Sequence, residues 1–339
     1  MTIDAPPDPA LYTGTFERQA RKLVKQYGFS DDVTIAPLNQ SENTVLLVDD
    51  RERAEKYVLR IHSHRLDYHR AAMIASEVDW IRALRRQSVI ETLDPIADKH
   101  GRFVQTLNSP ELDRPRCAVM FSFLEGVEPG PDPDSLTLGF ARLGEVTAHM
   151  HRQAKNWTLP PGFTRPVWSP DEIFANCNGF GRWQDAVGMD NEALVCLGRM
   201  VEVIARRLVA LGRHPRHFGL THADLRLANI LIEGERTKVI DFDDCGFSWY
   251  TYDLATALSF IQDRPDMPEL IAVWLEGYRR VGELPAALEA EIPTVIMLRR
   301  VAELAWLASR RHTEFSQNTE PGFTSASCRL AEDYLKRFG

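Results

Sequence analysis

The chain opens with a helical period. Phe16, Ala20, Leu23, Val24 and Tyr27 recur at spacings of three and four, and Gly28 supplies a stop, which predicts a short first helix behind a loose tail, Met1–Pro9. The period then changes to two. Val33–Leu38, Asn43–Val48 and Lys56–Ile61 read as strands, the last two joined by the charged turn Asp49–Ala54. Between Arg70 and Arg86, Ala71, Ile74, Ala75, Val78, Ile81 and Leu84 form one apolar stripe, so an amphipathic helix is expected there, facing the sheet. Two further hairpins are suggested, one by Pro95–Leu107, turning at Lys99-His100-Gly101, and one by Arg116–Leu124 after the turn Pro110–Pro115. Beyond Glu125-Gly126 and the proline-rich stretch Val127–Pro133 the period is helical again. Leu136, Phe140, Leu143, Thr147 and Met150 mark one helix, and Leu194, Leu197, Val201, Ile204, Leu208 and Leu211 mark a second that stops at Gly212. Further helices are expected around Leu270–Val281 and Leu288–Ser309. The pattern is α+β: a strand-rich part, residues 1–125, followed by a larger helical part, residues 126–339.

Composition narrows this picture. The 339 residues are enough for two cores, and 44% hydrophobic with 26% charged residues is ordinary for a globular chain. A formal net charge of −8 argues against a broad nucleic-acid-binding surface, which needs a basic footprint, and is compatible with a cationic or neutral substrate. Cys117, Cys177, Cys196, Cys245 and Cys328 show no metal-type spacing and no close pair, which reads as reduced thiols and a cytoplasmic setting. The acidic, proline-rich start lacks a signal-peptide pattern, and no apolar run reaches membrane-spanning length, so no membrane partner is expected.

Candidate chemistry concentrates between Leu220 and Asp244. There His222, Asp224 and Asn229 share one short segment, and Asp241 follows two apolar runs, Ile230–Ile232 and Val239–Ile240, separated by a turn that contains Gly234. Phosphoryl transfer needs a divalent metal held by oxygens, an oriented hydroxyl and an acceptor for its proton. Asp224 is the candidate for orienting and deprotonating the hydroxyl. Asn229 can offer an amide oxygen and Asp241 a carboxylate to Mg²⁺, both at one end of a hairpin. Asp243 and Asp244 could be extra metal ligands, but adjacent carboxylates at a strand end are more often solvated or capping groups.

The pattern HADLRLAN followed by IDFDD resembles the catalytic loop and metal-binding segment of the aminoglycoside phosphotransferase and choline kinase superfamily. The resemblance runs from about Val33 to Phe260. It implies a bilobal, protein-kinase-like fold and ATP with Mg²⁺ as cofactors, and it makes the acceptor a small-molecule hydroxyl. It also implies that the loop Asn39–Asn43 covers the phosphates through Ser41 and Asn43, although it has no glycine. Arg60 would grip the phosphates where protein kinases carry lysine, paired with Glu77, a residue that could otherwise balance Arg82 or Arg85 at the surface. In the same pattern His222 buttresses the loop, Asp253 ties it down, and His149 and His151 are structural. His62, His64 and His69 read as a solvated loop. The aromatic stretch Trp157–Trp183 resembles the branch with phosphotransferase-type homoserine kinase, hydroxylysine kinase and the bacterial stress-response kinase. Trp168 and Trp183 are its candidates for a substrate wall, or for buried packing, and the same choice applies to Trp249, Tyr250 and Tyr252.

Other functions remain open on the sequence. A serine/threonine protein kinase of the stress-response type would use the same residues, though the stretch between Asp241 and Asp253 is too short for a recognisable activation segment. The missing loop glycine and strand lysine also admit a catalytically silent nucleotide-binding regulator. A metallohydrolase built on His222, Asp224 and Asp241 would leave Asn229, Arg60 and Glu77 unexplained.

Overall fold

The computed structural model describes residues 9–40, 43–63, 70–112, 114–175 and 179–339. They divide into two compact units. The first holds the chain up to residue 87 with 92–125 and 160–164, and the second holds 88–91, 126–159 and 165–339. Together they make an α+β architecture.

In the first unit, helix α1 (Pro9–Leu23) leads into β1 (Val33–Gln40), β2 (Thr44–Asp50) and β3 (Glu55–Ile61), an antiparallel meander. Helix α2 (Ala71–Arg86) follows. After a two-residue strand β4 (Glu91–Thr92) come β5 (Pro95–Ile96), β6 (Val104–Leu107) and β7 (Arg116–Ser122), and the sheet order is β1-β2-β3-β7-β5 with β6 also on β7. Alternation decides what each face buries. Leu46, Val48, Leu59 and Ile61 pack with Phe16, Ala20, Leu23 and Val24 of α1 into one core. The opposite face carries Arg60 toward α2. Tyr27, Phe29 and Tyr57 stack at the edge of the α1 core.

The expected hairpin over Pro95–Leu107 is not one. Both halves pair with β7, Ile96 opposite Met120 and Val104 opposite Val119, so β5 and β6 form a single edge strand interrupted by a loop. The loop is self-contained. Asp98 Oδ1 accepts from the backbone N–H groups of His100 and Arg102, each at 2.9 Å, and its carboxylate also takes the Arg102 guanidinium at 2.8 Å. A turn that satisfies its own donors in this way needs no partner strand.

The second unit is mostly helical: α3 (Pro133–Asn156), α4 (Pro170–Phe174), α5 (Asn191–Leu211), α6 (Tyr252–Ala257), α7 (Met267–Arg279), α8 (Ala286–Glu289), α9 (Ile292–Ser309), α10 (Glu314–Thr319) and α11 (Phe323–Phe338). The ends of these helices follow local chemistry. Asp132 and Asp190 accept from Ser135 N and Ala193 N as N-caps of α3 and α5, and Gly212 takes φ +72° to close α5. Four short strands supply the scaffold for the catalytic stretch: β8 (Phe218–Thr221), β9 (Ile230–Glu233), β10 (Arg236–Val239) and β11 (Gly246–Trp249). The hairpin β9–β10 is the expected one, with Gly234 at φ +58° in its turn. The pairing of β8 with β11, Thr221 opposite Gly246, was not expected from the pattern. Helices α10 and α11 were likewise unforeseen.

No helix among the described residues is long and apolar enough to cross a membrane.

Candidate active site

In the second unit the loop from His222 to Asn229 leaves β8, and the loop from Ile240 to Cys245 returns to β11, so one strand pair holds both ends of the stretch. The backbone of the first loop hangs on Asp253 at the start of α6. His222 N–H donates to Asp253 Oδ2 at 3.1 Å, Ala223 N–H donates to Oδ1 at 2.7 Å, and Leu225 N–H donates to Thr256 Oγ1 at 3.2 Å. Ala223 needs this hold, because it carries a side chain at φ +63°. Burial raises the Asp253 carboxyl, but His151, the nearby His222 ring and the Ala223 amide outweigh it and keep the group below the usual carboxylate range.

His151, fully buried on α3, completes the anchor. Its Nε2 lies 2.9 Å from Asp253 Oδ2 and its Nδ1 lies 3.2 Å from the Tyr278 hydroxyl. The neutral tautomer with the proton on Nε2 satisfies both contacts, and burial pushes the imidazole below its ordinary value.

The side chains expected to act come together in this unit. Asn229 Nδ2 donates to the Asp224 carbonyl at 2.7 Å and to Asp224 Oδ2 at 3.0 Å, which turns its Oδ1 away from Asp224. Ile240 N–H donates to the Asn229 carbonyl at 3.0 Å, and the Ile240 carbonyl faces His222 Nε2 at 3.0 Å. These two bonds bring the start of the second loop, and with it Asp241, to the end of the first. His222, fully buried, thus supports the backbone of the second loop. Asp241 is exposed and has φ +62°, a conformation that aspartate tolerates better than most residues. A carboxylate and an amide oxygen are the kinds of donor a hard divalent cation prefers.

Other parts of the stretch differ from expectation. Asp243 is buried, not solvated, because Arg165 reaches under the loop: its Nη2 donates to the Asp243 carbonyl and its Nε donates to the Cys245 carbonyl at 2.5 Å. Trp168 donates from Nε1 to the Asp244 carbonyl at 2.8 Å and is buried, so it braces the loop from behind. Trp183, Trp249, Tyr250 and Tyr252 are buried as well, which resolves their reading in favour of packing.

In the first unit Arg60 Nη2 and Glu77 Oε1 form a buried ion pair, with the guanidinium 5.1 Å from the Phe121 ring centroid. Arg82 and Arg85 pair with Asp79 and Asp94 instead, so Glu77 faces inward. Asn43 is buried and accepts from Ser63 N–H at 3.0 Å through Oδ1, tying the start of β2 to the chain after β3. Ser41 lies outside the described residues, as do His64 and His69. His62 is buried, not part of a solvated loop, because its N–H extends the β3–β7 pairing to Cys117 at 2.8 Å.

The sequence pattern of the phosphotransferase enzyme family matches residues 33–290. The chain belongs to that family. Its structure is similar to that of a microcompartment-associated aminopropanol kinase, 39% identical, covering 94% of this chain and 98% of the other with a TM-score of 0.85. The amicoumacin kinase of Bacillus subtilis (strain 168) is 25% identical over 319 residues, 89% of this chain and 87% of the relative. An amicoumacin kinase in complex with AMP-PNP, Ca²⁺ and Ami shares the protein-kinase-like fold at 22% identity, with 96% and 95% coverage and a TM-score of 0.74. As a member of the phosphotransferase family, the chain transfers a phosphoryl group from ATP to a hydroxyl of a small molecule.

One residue of this phosphotransferase escaped the sequence pattern. Arg299 of α9, buried, places Nη2 at 3.1 Å from Asp224 Oδ1. The available signal was a cluster of charges, Arg299, Arg300 and Glu303, within one turn of a mostly apolar helix.

Proposed function

We propose that the chain phosphorylates the hydroxyl of a small amino alcohol. Asp224 orients and deprotonates that hydroxyl, and Arg60 with Glu77 holds the α- and β-phosphates of ATP. Asn229 and Asp241 would hold the divalent metal. One observation carries the reading of the site: Asn229 is bonded through its amide nitrogen to Asp224, so a single side chain joins the proton acceptor to the oxygen donors. The acceptor class rests on the likeness to an aminopropanol kinase.

A bound divalent ion would neutralise charge on the transferred phosphoryl group. The rest is the work of this chain's residues. Asp224 accepts a hydrogen bond from the acceptor hydroxyl, so that one lone pair of its oxygen points along the line of attack. As the new oxygen–phosphorus bond forms and the bond from the γ-phosphorus to its bridging oxygen breaks, the hydroxyl proton passes to the Asp224 carboxylate and ADP leaves with the bridging oxygen. The Asp253–His151–Tyr278 anchor keeps the loop from moving during this transfer. No covalent enzyme intermediate is needed, and Arg60, with its forked donors, substitutes for the usual lysine as a phosphate ligand.

The test is phosphorus NMR of the protein with Mg²⁺ and ATP against aminopropanol, ethanolamine, choline, homoserine and aminoglycosides, singly. A phosphomonoester resonance with an amino alcohol, reduced by about 10²- to 10⁴-fold in rate in Asp224→Asn, is the expected result. Turnover of an aminoglycoside or homoserine alone overturns the acceptor class, and full activity of Asp224→Asn overturns the assignment of the base.

A further inference from the structure

The backbone anchors of the catalytic loop fix the position of Asp224 but not the direction of its carboxylate, which turns about two side-chain bonds. Two groups set that direction. Asn229 holds Oδ2 at 3.0 Å, and Arg299 holds Oδ1 at 3.1 Å. Arg226 also approaches, at 3.3 Å, but it stands on the same loop and 36% of its side chain is exposed, against 7% for Arg299. Arg299 belongs to α9, whose residues from Thr294 to Ala305 are buried without a break. It is thus a support outside the loop, on a rigid element.

The guanidinium is itself held. Its Nε donates to Ser259 Oγ at 2.9 Å and lies 3.5 Å from Glu303 Oε1, one turn along α9. Gln262 Nε2 donates to both Glu303 oxygens at 2.8 Å, and Arg300 Nη1 donates to Gln262 Oε1 at 2.8 Å. Arg300 Nε then reaches Ser327 Oγ of α11 at 2.7 Å. Asp224, Arg299, Glu303 and Arg300 alternate in charge along this line, so each buried charge has an opposite neighbour or a hydrogen-bonded link to one. A fork of donors is what such a position requires, since one side chain must meet Asp224, Ser259 and Glu303 together.

We infer that Arg299 is a positioning residue for the reaction: held by Glu303 and Ser259, it fixes the Asp224 carboxylate in the orientation that meets the acceptor hydroxyl. The inference rests on Asp224 being the group that takes the proton. A misaimed carboxylate would leave both substrates bound but the hydroxyl poorly aligned, so the loss belongs in kcat and not in KM.

The experiment is steady-state kinetics of Arg299→Lys, Arg299→Met, Arg299→Met with Glu303→Met, and each Arg299 change combined with Asp224→Asn, with melting temperatures for all. The paired methionine variant removes both charges and so avoids leaving Glu303 buried alone. The expected result is a fall in kcat on the order of 10²-fold for Arg299→Met and for the paired variant, with KM for ATP and acceptor within about threefold, and a smaller fall for Arg299→Lys. In the Asp224→Asn background the Arg299 changes should cost nothing further, because the group they aim is gone. A paired variant that regains both its melting temperature and wild-type kcat overturns the inference, and so does an undiminished Arg299 effect in the Asp224→Asn background. If Arg299→Met does not fold, Arg299→Lys in the two backgrounds decides the same question. Full activity of Asp224→Asn would instead sink the assignment of the base itself.

Discussion

Arg60 is a cation in the interior of a sheet, and what makes that tolerable is Glu77, entirely buried on α2. Two charges removed from water lose hydration worth several kcal/mol each, and the pair recovers this only while both members are present. Stability and function therefore separate cleanly at this position. Glu77→Gln is expected to destabilise the fold by about 3–5 kcal/mol and to weaken ATP binding, since it leaves a buried guanidinium without its counter-charge. Replacing both residues, Arg60→Met with Glu77→Met, should return most of the melting temperature while ATP binding, measured by calorimetry, stays at least tenfold weaker. Wild-type affinity in that double variant would show that the pair is scaffold and not phosphate clamp. The same reasoning applies around Asp224, where Arg299 and Asn229 were placed for one carboxylate, but there the reporter is turnover.

At the scale of elements, the second unit depends on a close crossing of α3 and α7. A Cβ on Gly144 would strike the Trp274 carbonyl oxygen, and one on Gly277 would strike the Ala141 carbonyl oxygen, so each helix offers a bare backbone to the other. Gly277→Ala should force the helices apart and cost about 1–3 kcal/mol or more, read as a lower midpoint in denaturant, with KM for ATP little changed. Tyr278, next to this crossing, also bonds His151, so kcat is expected to fall with it. Neither glycine was legible in the sequence, because close approach of two helices is a property of their pairing and leaves no periodic mark. What was legible followed from local rules. Alternation located β1 to β3, the 3.6-residue stripe located α2 and α5, and the apolar runs Ile230–Ile232 and Val239–Ile240 about the Gly234 turn located the β9–β10 hairpin. The β8–β11 pair was missed because its strands are four residues each and separated by the catalytic stretch itself. The interrupted β5–β6 edge was mistaken for a hairpin because a tight turn looks the same in sequence whether the chain reverses or resumes its line. Arg299 was missed because it lies 75 residues from Asp224, and nothing short of the fold joins them.

For the molecule as a whole, the net charge of −8 conceals the fact that many of its acids are committed to bonds. Asp98 is drawn down to about 2: burial opposes this, but the Arg102 side chain and the amides of its loop prevail. Asp253 is likewise held low, against burial, by His151, by the nearby His222 ring and by the Ala223 amide. Groups of this kind stabilise the fold above their ordinary values near 4 and lose that contribution as pH falls through the folded values. Glu303, raised by burial, works in the opposite sense: its contribution is complete below its ordinary value and is lost as pH rises through the raised one. None of these carboxylates with lowered values acts before pH 4, so an earlier loss must come from elsewhere, and His151 supplies it. Its folded value lies below the ordinary 6.5, so between the two values the unfolded chain binds a proton that the folded chain does not. Stability therefore rises with pH through that interval and begins to fall as pH drops below about 6.5. His149, lowered by burial and Arg152, adds in the same direction from a more exposed place. His151→Gln keeps a donor for Asp253 but does not titrate. Its melting temperature should be lower than wild type at pH 7.5, and the gap should narrow by about 2 °C or more toward pH 5, measured by scanning calorimetry in buffers of equal ionic strength. Parallel curves would place the acid sensitivity in other groups and remove His151 from the account.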